Sequence, residues 1–431
     1  MKNNCFAPLK IYNGLSINEL SNLIGGRDIY IWGCGFLGRA IKRYFEKNKL
    51  PIKYFCDSNF KLQGNYIDGT KVISPKIALR QAQNKKAFII ICSTRYREVI
   101  ESHCISSDLK RKKDFLSYIH ISRPEAIIEV SGKYNTKFPA CLTEFKKSQT
   151  PSKYMNLFLY KQVLNKLLKE LPSLININLS NWAEPLMNPY LDKIIKTTEP
   201  LIPCTVYTTL PTSNKLEEII KAEPSQFIIM VGGYGKTYEE NTAIPWKIFW
   251  ENIHLLKELI NKYKLKTQIA ILYHIYKNNQ QQDLTNFRNL CLKLDLRFIT
   301  TWGYLNPYDK LLDLCQKKTS AVKLKILNNL AWNLNNCLKF AKKEANRPCL
   351  CQRIFPIINY DLSVSICHIY YFPIIAKNFL ELSLVELIKM RNIQSQCLLC
   401  QKYGLHRLDI DILIKKYPKE MILINPGVNI C

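Results

Sequence analysis

Residues 28–38 read Asp28-Ile29-Tyr30-Ile31-Trp32-Gly33-Cys34-Gly35-Phe36-Leu37-Gly38, a short apolar run that ends in a turn with three spaced glycines. The Ile-rich and aromatic run predicts a buried strand. An amphipathic helix is predicted next, because Leu37, Ile41, Tyr44 and Phe45 share one face. Ile52–Cys56 predicts a second strand, ending at Asp57. Ala87–Cys92 predicts a third, and its unbroken apolar run suits a parallel sheet covered on both faces.

The glycine spacing is G-x-G-x-x-G, and it lies between a strand and a helix. In that setting each glycine has a physical task. Gly33 permits the tight turn, Gly35 lets a phosphate approach the backbone, and Gly38 lets the helix pack closely. The helix N-terminus favours an anion. Asp57, 19 positions after Gly38, is placed to accept from a ribose hydroxyl. Residues 1–122 therefore predict a Rossmann-like parallel sheet, short for the full two-halved fold and suited to a nucleotide or nucleotide sugar. The alternative is a domain that kept the turn and lost the ligand. The zone resembles N-terminal domains found on bacterial sugar-modifying enzymes.

Residues 123–345 alternate strand and helix. Strands are predicted at Ala126–Ser131, Leu174–Ser180, Cys204–Thr209, Phe227–Val231, Thr267–Ile275 and Arg297–Trp302. Helices are predicted near 156–171, 189–197, 214–221, 245–263 and 282–294. Six such repeats predict a partial TIM-like (β/α)6 barrel, with any site at the C-terminal strand ends. His274, Lys236 and Tyr238 fall there, each able to line a pocket or to serve the packing alone. Residues 346–431 predict a small Cys-rich domain of short elements.

The chain has 431 residues, 47% hydrophobic and 22% charged, which suits two or three packed domains and excludes global disorder. No apolar run approaches the roughly 18–20 residues of a membrane helix. The opening Met1-Lys2-Asn3-Asn4-Cys5 leads into no apolar secretory core, so a cytoplasmic location is expected. Net charge is +28, with 62 Lys+Arg against 34 Asp+Glu. Lysine dominates, alongside many Asn and Ile, as an AT-rich coding sequence produces, and no Arg–aromatic cluster points to nucleic acid. The densest basic run, Lys110-Arg111-Lys112-Lys113, is expected in a solvated linker. Of 16 cysteines, Cys92, Cys204, Cys291 and Cys337 lie in apolar runs and read as small core residues. Cys349, Cys351, Cys367, Cys397 and Cys400 form a denser group, the pattern of a metal or iron–sulfur site.

Three segments carry a family resemblance. The stretch Ile128-Glu129-Val130-Ser131-Gly132-Lys133-Tyr134-Asn135-Thr136-Lys137-Phe138-Pro139-Ala140-Cys141 resembles the first strand and loop of radical SAM enzymes. Those carry three cysteines that hold a [4Fe–4S] cluster open to S-adenosylmethionine. Here the three positions are Tyr134, Phe138 and Cys141. Leu179-Ser180-Asn181-Trp182-Ala183-Glu184-Pro185-Leu186 resembles the family's G-E-P-L segment, with Ala183 in place of glycine, and implies that Glu184 faces the cofactor's amino group. The third zone resembles a SPASM domain, which holds auxiliary clusters. It runs from Cys349 and Cys351 through Asn359-Tyr360-Asp361-Leu362-Ser363-Val364 to Cys367, then to the C-x-x-C of Cys397 and Cys400, with Leu362 where the family's turn has glycine.

The resemblance implies an auxiliary 4Fe–4S cluster on Cys351, Cys367, Cys397 and Cys400, with Cys349 able to replace Cys351. Four thiolates suit structural zinc as well. His368 and His406 are expected outside the ligand set. A phenol is a poor soft ligand and a phenyl ring cannot coordinate, so Tyr134 and Phe138 argue against the reductive cluster and its use of S-adenosylmethionine. The expected protein is a radical SAM/SPASM relative without that cluster, binding a small-molecule or glycan-precursor ligand in a bacterial surface-glycan or lipopolysaccharide pathway. The alternative is an active radical SAM enzyme acting on a sugar or other small substrate.

Overall fold

The computed structural model describes residues 15–416 apart from 94–95, 122, 133–153, 213, 304, 306, 317–327, 348, 350, 352–353 and 371. Tyr134, Phe138 and Cys141 lie outside the described residues. The chain divides into two compact units. One comprises the described residues within 12–125 and 171–176; the other comprises those within 126–170 and 177–431.

The first unit is built on six strands: β1 Asp28–Trp32, β2 Ile52–Cys56, β3 Tyr66–Ile67, β4 Thr70–Ile73, β5 Ala87–Ile91 and β6 Phe115–Ser117. Their order is β3-β4-β2-β1-β5-β6, parallel except for the β3–β4 pair. Alternation along β1 and β5 explains why both strands read as unbroken apolar runs. Ile29, Ile31, Phe88 and Ile90 enter one core with Ile41 and Phe45, while Tyr30, Trp32, Ile89 and Ile91 enter the opposite core with Ala78 and Cys104. The sheet is larger than the three strands read from the sequence, because β3, β4 and β6 have only two to four residues and show no usable period.

The 110–113 run is solvent-exposed, as expected, but it belongs to the first unit rather than to a linker. It turns into β6, and the buried Asp114 accepts from Lys110 N at 3.0 Å and from Lys85 Nζ at 2.8 Å.

In the second unit the expected repeats appear as β7 Arg123–Ile128, β8 Leu174–Asn178, β9 Cys204–Thr208, β10 Gln226–Val231, β11 Gln268–Ile275 and β12 Arg297–Trp302. Helices Leu157–Glu170, Leu191–Thr198, Leu216–Lys221, Trp246–Tyr263 and Gln282–Lys293 connect them. The strands lie in sequential order, the arrangement of an open, singly wound barrel sheet. Three more strands continue that sheet beyond β7: β13 Ile354–Ile358, β14 Val364–Ser365 and β15 Ile374–Ala376, an antiparallel meander. The Cys-rich zone thus shares a sheet with the barrel. Cys92, Cys204, Cys291 and Cys337 are all buried, as their apolar surroundings predict. No helix among the described residues is long and apolar enough to cross a membrane.

The three glycines of the first turn are under different constraints. Gly33 has φ +107°, and a methyl there would meet the Cys92 carbonyl oxygen at 2.5 Å. A methyl on Gly38 would overlap the Gly33 carbonyl oxygen, so the helix Phe36–Lys47 can approach β1 only without a side chain at that position. Gly35, with φ −72°, faces open space. Gly38→Ala is expected to lower stability by about 3 kcal/mol through overpacking, while Gly35→Ala should change it by less than about 0.5 kcal/mol. Urea denaturation of the two variants separates these outcomes, and equal losses would contradict the packing account.

Candidate metal centre

The β13–β14 hairpin brings the first cysteines together. Ile357 pairs with Ser365 and Ile358 with Val364, so β13 and β14 lie side by side, with Cys351 preceding the one strand and Cys367 following the other. Between the strands the turn holds Leu362 at φ +70°, the left-handed conformation that favours glycine. Local hydrogen bonds hold it there. Leu362 N donates to the Asn359 carbonyl at 2.9 Å, Asp361 accepts from Ser363 N at 3.1 Å, and Asn359 Nδ2 donates to Ser365 Oγ at 3.0 Å.

The remaining cysteines come from a helix. Helix Leu384–Asn392 begins with a reciprocal cap between Ser383 and Glu386. Helix Ser395–Lys402 follows and carries Cys397 and Cys400 one turn apart, on one face. All five thiols, Cys349, Cys351, Cys367, Cys397 and Cys400, line one pocket with Tyr370, Arg391 and His406. None of the five is in a disulfide.

Within the pocket the thiols are electrostatically linked. Cys351 is hydrogen-bonded to both Cys349 and Cys367, which raises its own pKa well above that of a free thiol. The same bonds hold Cys349 and Cys367 below the ordinary range, helped at Cys367 by His368 and Arg391. Burial pushes Cys397 up to about 11, against the pull of Arg391, and pushes Cys400 up as well. Ligand atoms of Cys351, Cys367 and His368 lie within 4.8 Å of one another. The structure therefore brings His368 nearer to the ligand set than the sequence reading placed it. His406 is buried, and its Nε2 lies 3.1 Å from the Arg347 carbonyl.

At the C-terminal ends of the barrel strands, Glu184 is enclosed. Its carboxylate accepts from Leu186 N at 3.2 Å, Thr208 Oγ1 at 2.6 Å, Thr209 N at 3.0 Å and Thr209 Oγ1 at 2.9 Å. Burial raises its pKa, and those four bonds oppose the rise. The side chain caps the turn at Pro185–Met187 and ties β8 to β9. Glu129, which sequence reasoning missed, accepts from Trp182 N and Ala183 N at 2.7 Å each. His274 is buried, and burial holds its pKa down to about 4, so it is neutral. Tyr238 is buried, and its hydroxyl donates to the Thr209 carbonyl at 3.3 Å. Lys236 begins the helix Lys236–Thr242.

In the first unit, Gly33, Gly35, Gly38 and Asp57 meet at the C-terminal end of β1, where the strand order reverses between β2 and β5. Asp57 accepts from Cys34 N at 3.2 Å, Cys34 Sγ at 3.1 Å and Asn59 N at 2.9 Å. Its carboxylate therefore closes onto the glycine turn itself.

No family model and no curated protein matches the chain. Among solved structures, BtrN in complex with AdoMet and 2-DOIA is 15% identical, covering 65% of this chain and 87% of its own, with a TM-score of 0.37. Streptococcus suis SuiB bound to S-adenosylmethionine is 13% identical, covering 68% and 74%, with a TM-score of 0.43. SuiB bound to precursor peptide SuiA is 13% identical, covering 90% and 88%, with a TM-score of 0.43. With identities and TM-scores this low, none of these likenesses bears on what the protein does.

Glu184→Ala would leave two hydroxyls and two backbone amides without their acceptor in a buried setting. The expected loss is about 3 kcal/mol, with Glu184→Gln losing less because it keeps one oxygen. Urea denaturation checks this, and a loss below about 1 kcal/mol for the alanine variant would sink the structural account.

Proposed function

We propose that the C-terminal zone holds an iron–sulfur cluster on thiolates drawn from Cys349, Cys351, Cys367, Cys397 and Cys400. We further propose that the chain is a radical SAM/SPASM relative without the reductive cluster. The observation that carries the reading is the convergence of five thiols, from three separate segments, on one pocket. The donor set is soft and suits iron–sulfur or zinc. A single tetrahedral zinc ion would hold its sulfurs about 3.8 Å apart, given bonds of about 2.3 Å. What favours iron–sulfur over zinc is the resemblance of the cysteine pattern to a SPASM domain. When bound, the cluster would supply a one-electron centre and a cross-link between hairpin and helix. The chain's own part is to bring the thiols together, to shield them with Tyr370 and Ile369, and to set a buried cation beside them.

Loss of the reductive cluster rests on Tyr134 and Phe138 at two of its three ligand positions. The engagement of Glu184 by Thr208 and Thr209 supports the same reading, because its acceptors already have donors. The role would then be binding of a small-molecule or glycan-precursor ligand. A nucleotide or nucleotide sugar at the first unit's turn is a second reading. It is favoured by the open space at Gly35, at a point where strand order reverses and α/β sheets take their ligands.

Anaerobic reconstitution with iron, sulfide and zinc counted per chain tests the first reading. About four irons per chain are expected, lost in the Cys397→Ala, Cys400→Ala double variant. One zinc without iron would replace the cluster by a structural zinc site. The reconstituted protein is expected to form no 5′-deoxyadenosine from S-adenosylmethionine under dithionite. Formation that stops in Cys141→Ala would establish the active-enzyme alternative. For the nucleotide reading, Gly35→Val should abolish any melting shift produced by nucleotides or nucleotide sugars, and the absence of a shift in the unmodified protein would end it.

A further inference from the structure

Arg391 occupies the last turn of helix Leu384–Asn392 and is 3% exposed. Its guanidinium lies over the Phe355 ring, 5 Å or less from the centroid (4.9 Å), and lines the five-thiol pocket. Its Nε has no hydrogen-bond partner among the described residues. Among those residues it forms no ion pair with a carboxylate. The groups whose charge would act on it are Cys367, Cys397, Cys349 and Cys351. A buried cation without an anion is strongly unfavourable, and arginine does not shed its proton to escape. Among the described residues the fold therefore keeps a permanent positive charge whose counter-charge would come from the thiolates themselves.

We propose that Arg391 is the counter-ion of the C-terminal centre and raises its reduction potential. This rests on the iron–sulfur reading of the pocket. Four thiolates give an oxidised cluster a net negative charge, and one-electron reduction adds another. A fixed cation in a low-dielectric setting stabilises the reduced form more than the oxidised form. The electron comes from an external one-electron donor such as dithionite, and no bond to Arg391 forms or breaks. Arg391 is a positioning residue for charge and not a ligand.

The test uses the full chain, reconstituted anaerobically, as wild type, Arg391→Lys and Arg391→Met. Iron and sulfide are counted first, and folding is checked by circular dichroism. Each loaded protein is then titrated with dithionite and mediators and followed by electron paramagnetic resonance. At the wild-type midpoint, the reduced-to-oxidised ratio of Arg391→Met is expected to fall about tenfold, or about 59 mV for one electron. Arg391→Lys should recover most of that ratio. An unchanged midpoint in Arg391→Met at equal iron content overturns the proposal. So does an equal shift in the lysine and methionine variants, which would mark an effect of shape. If Arg391→Met folds but takes up no iron, uptake by Arg391→Lys supports the counter-ion role and failure of both overturns it. A wild-type protein without iron removes the iron–sulfur reading and this proposal with it. The metal count reveals that case before any variant is compared.

Discussion

Glu129 joins the parts of the second unit. Its backbone N donates to the Ile358 carbonyl at 2.8 Å, fastening β13 to the end of β7. Its carboxylate accepts the amides of Trp182 and Ala183, fastening the loop after β8 to the same point. Close by, Gly132 lies against the Tyr360 ring so tightly that a methyl would overlap it. The hairpin that positions Cys351 and Cys367 is therefore registered on the first barrel strand.

Three buried charged side chains in this unit meet the same desolvation problem in different ways. Glu129 and Glu184 take their stabilisation from backbone amides and threonine hydroxyls, donors that the strand ends leave free. Such carboxylates stiffen the loops and have little acceptor capacity left for a ligand. Arg391 is different, because stacking on Phe355 satisfies its face and leaves its charge directed at a group of thiols, of which burial holds Cys397 and Cys400 in the protonated form. Replacing those protons by metal is the change that gives this guanidinium an anion.

The first unit separates structural from permissive glycine. Gly33 and Gly38 are held by contacts with the Cys92 and Gly33 carbonyls, and any sequence keeping this strand–helix contact needs them. Gly35 has no such contact. The motif can thus survive for packing alone at two of its three positions, and Gly35 is the position where space for a ligand is at stake. Asp57 adds to the same point by bonding the turn at Cys34.

The barrel strands and their helices were legible in the sequence because each is five or more residues long with one clear period, and packing within an element follows from that period. The grouping of the five cysteines was legible for a chemical reason, since no other local need concentrates thiols so densely. Tertiary structure decided what depends on distant partners. Strands of two to four residues, such as β3, β6 and β14, exist only because a neighbour pairs with them. The continuation of the barrel sheet into β13 follows from Glu129 meeting Ile358 across more than half of the chain. The roles of single residues were also decided there. Glu184 became a cap because Thr208 and Thr209 reach it, and Arg391 became a buried cation because Phe355 and the thiols surround it. Neither surrounding is encoded within a helical turn of the residue itself.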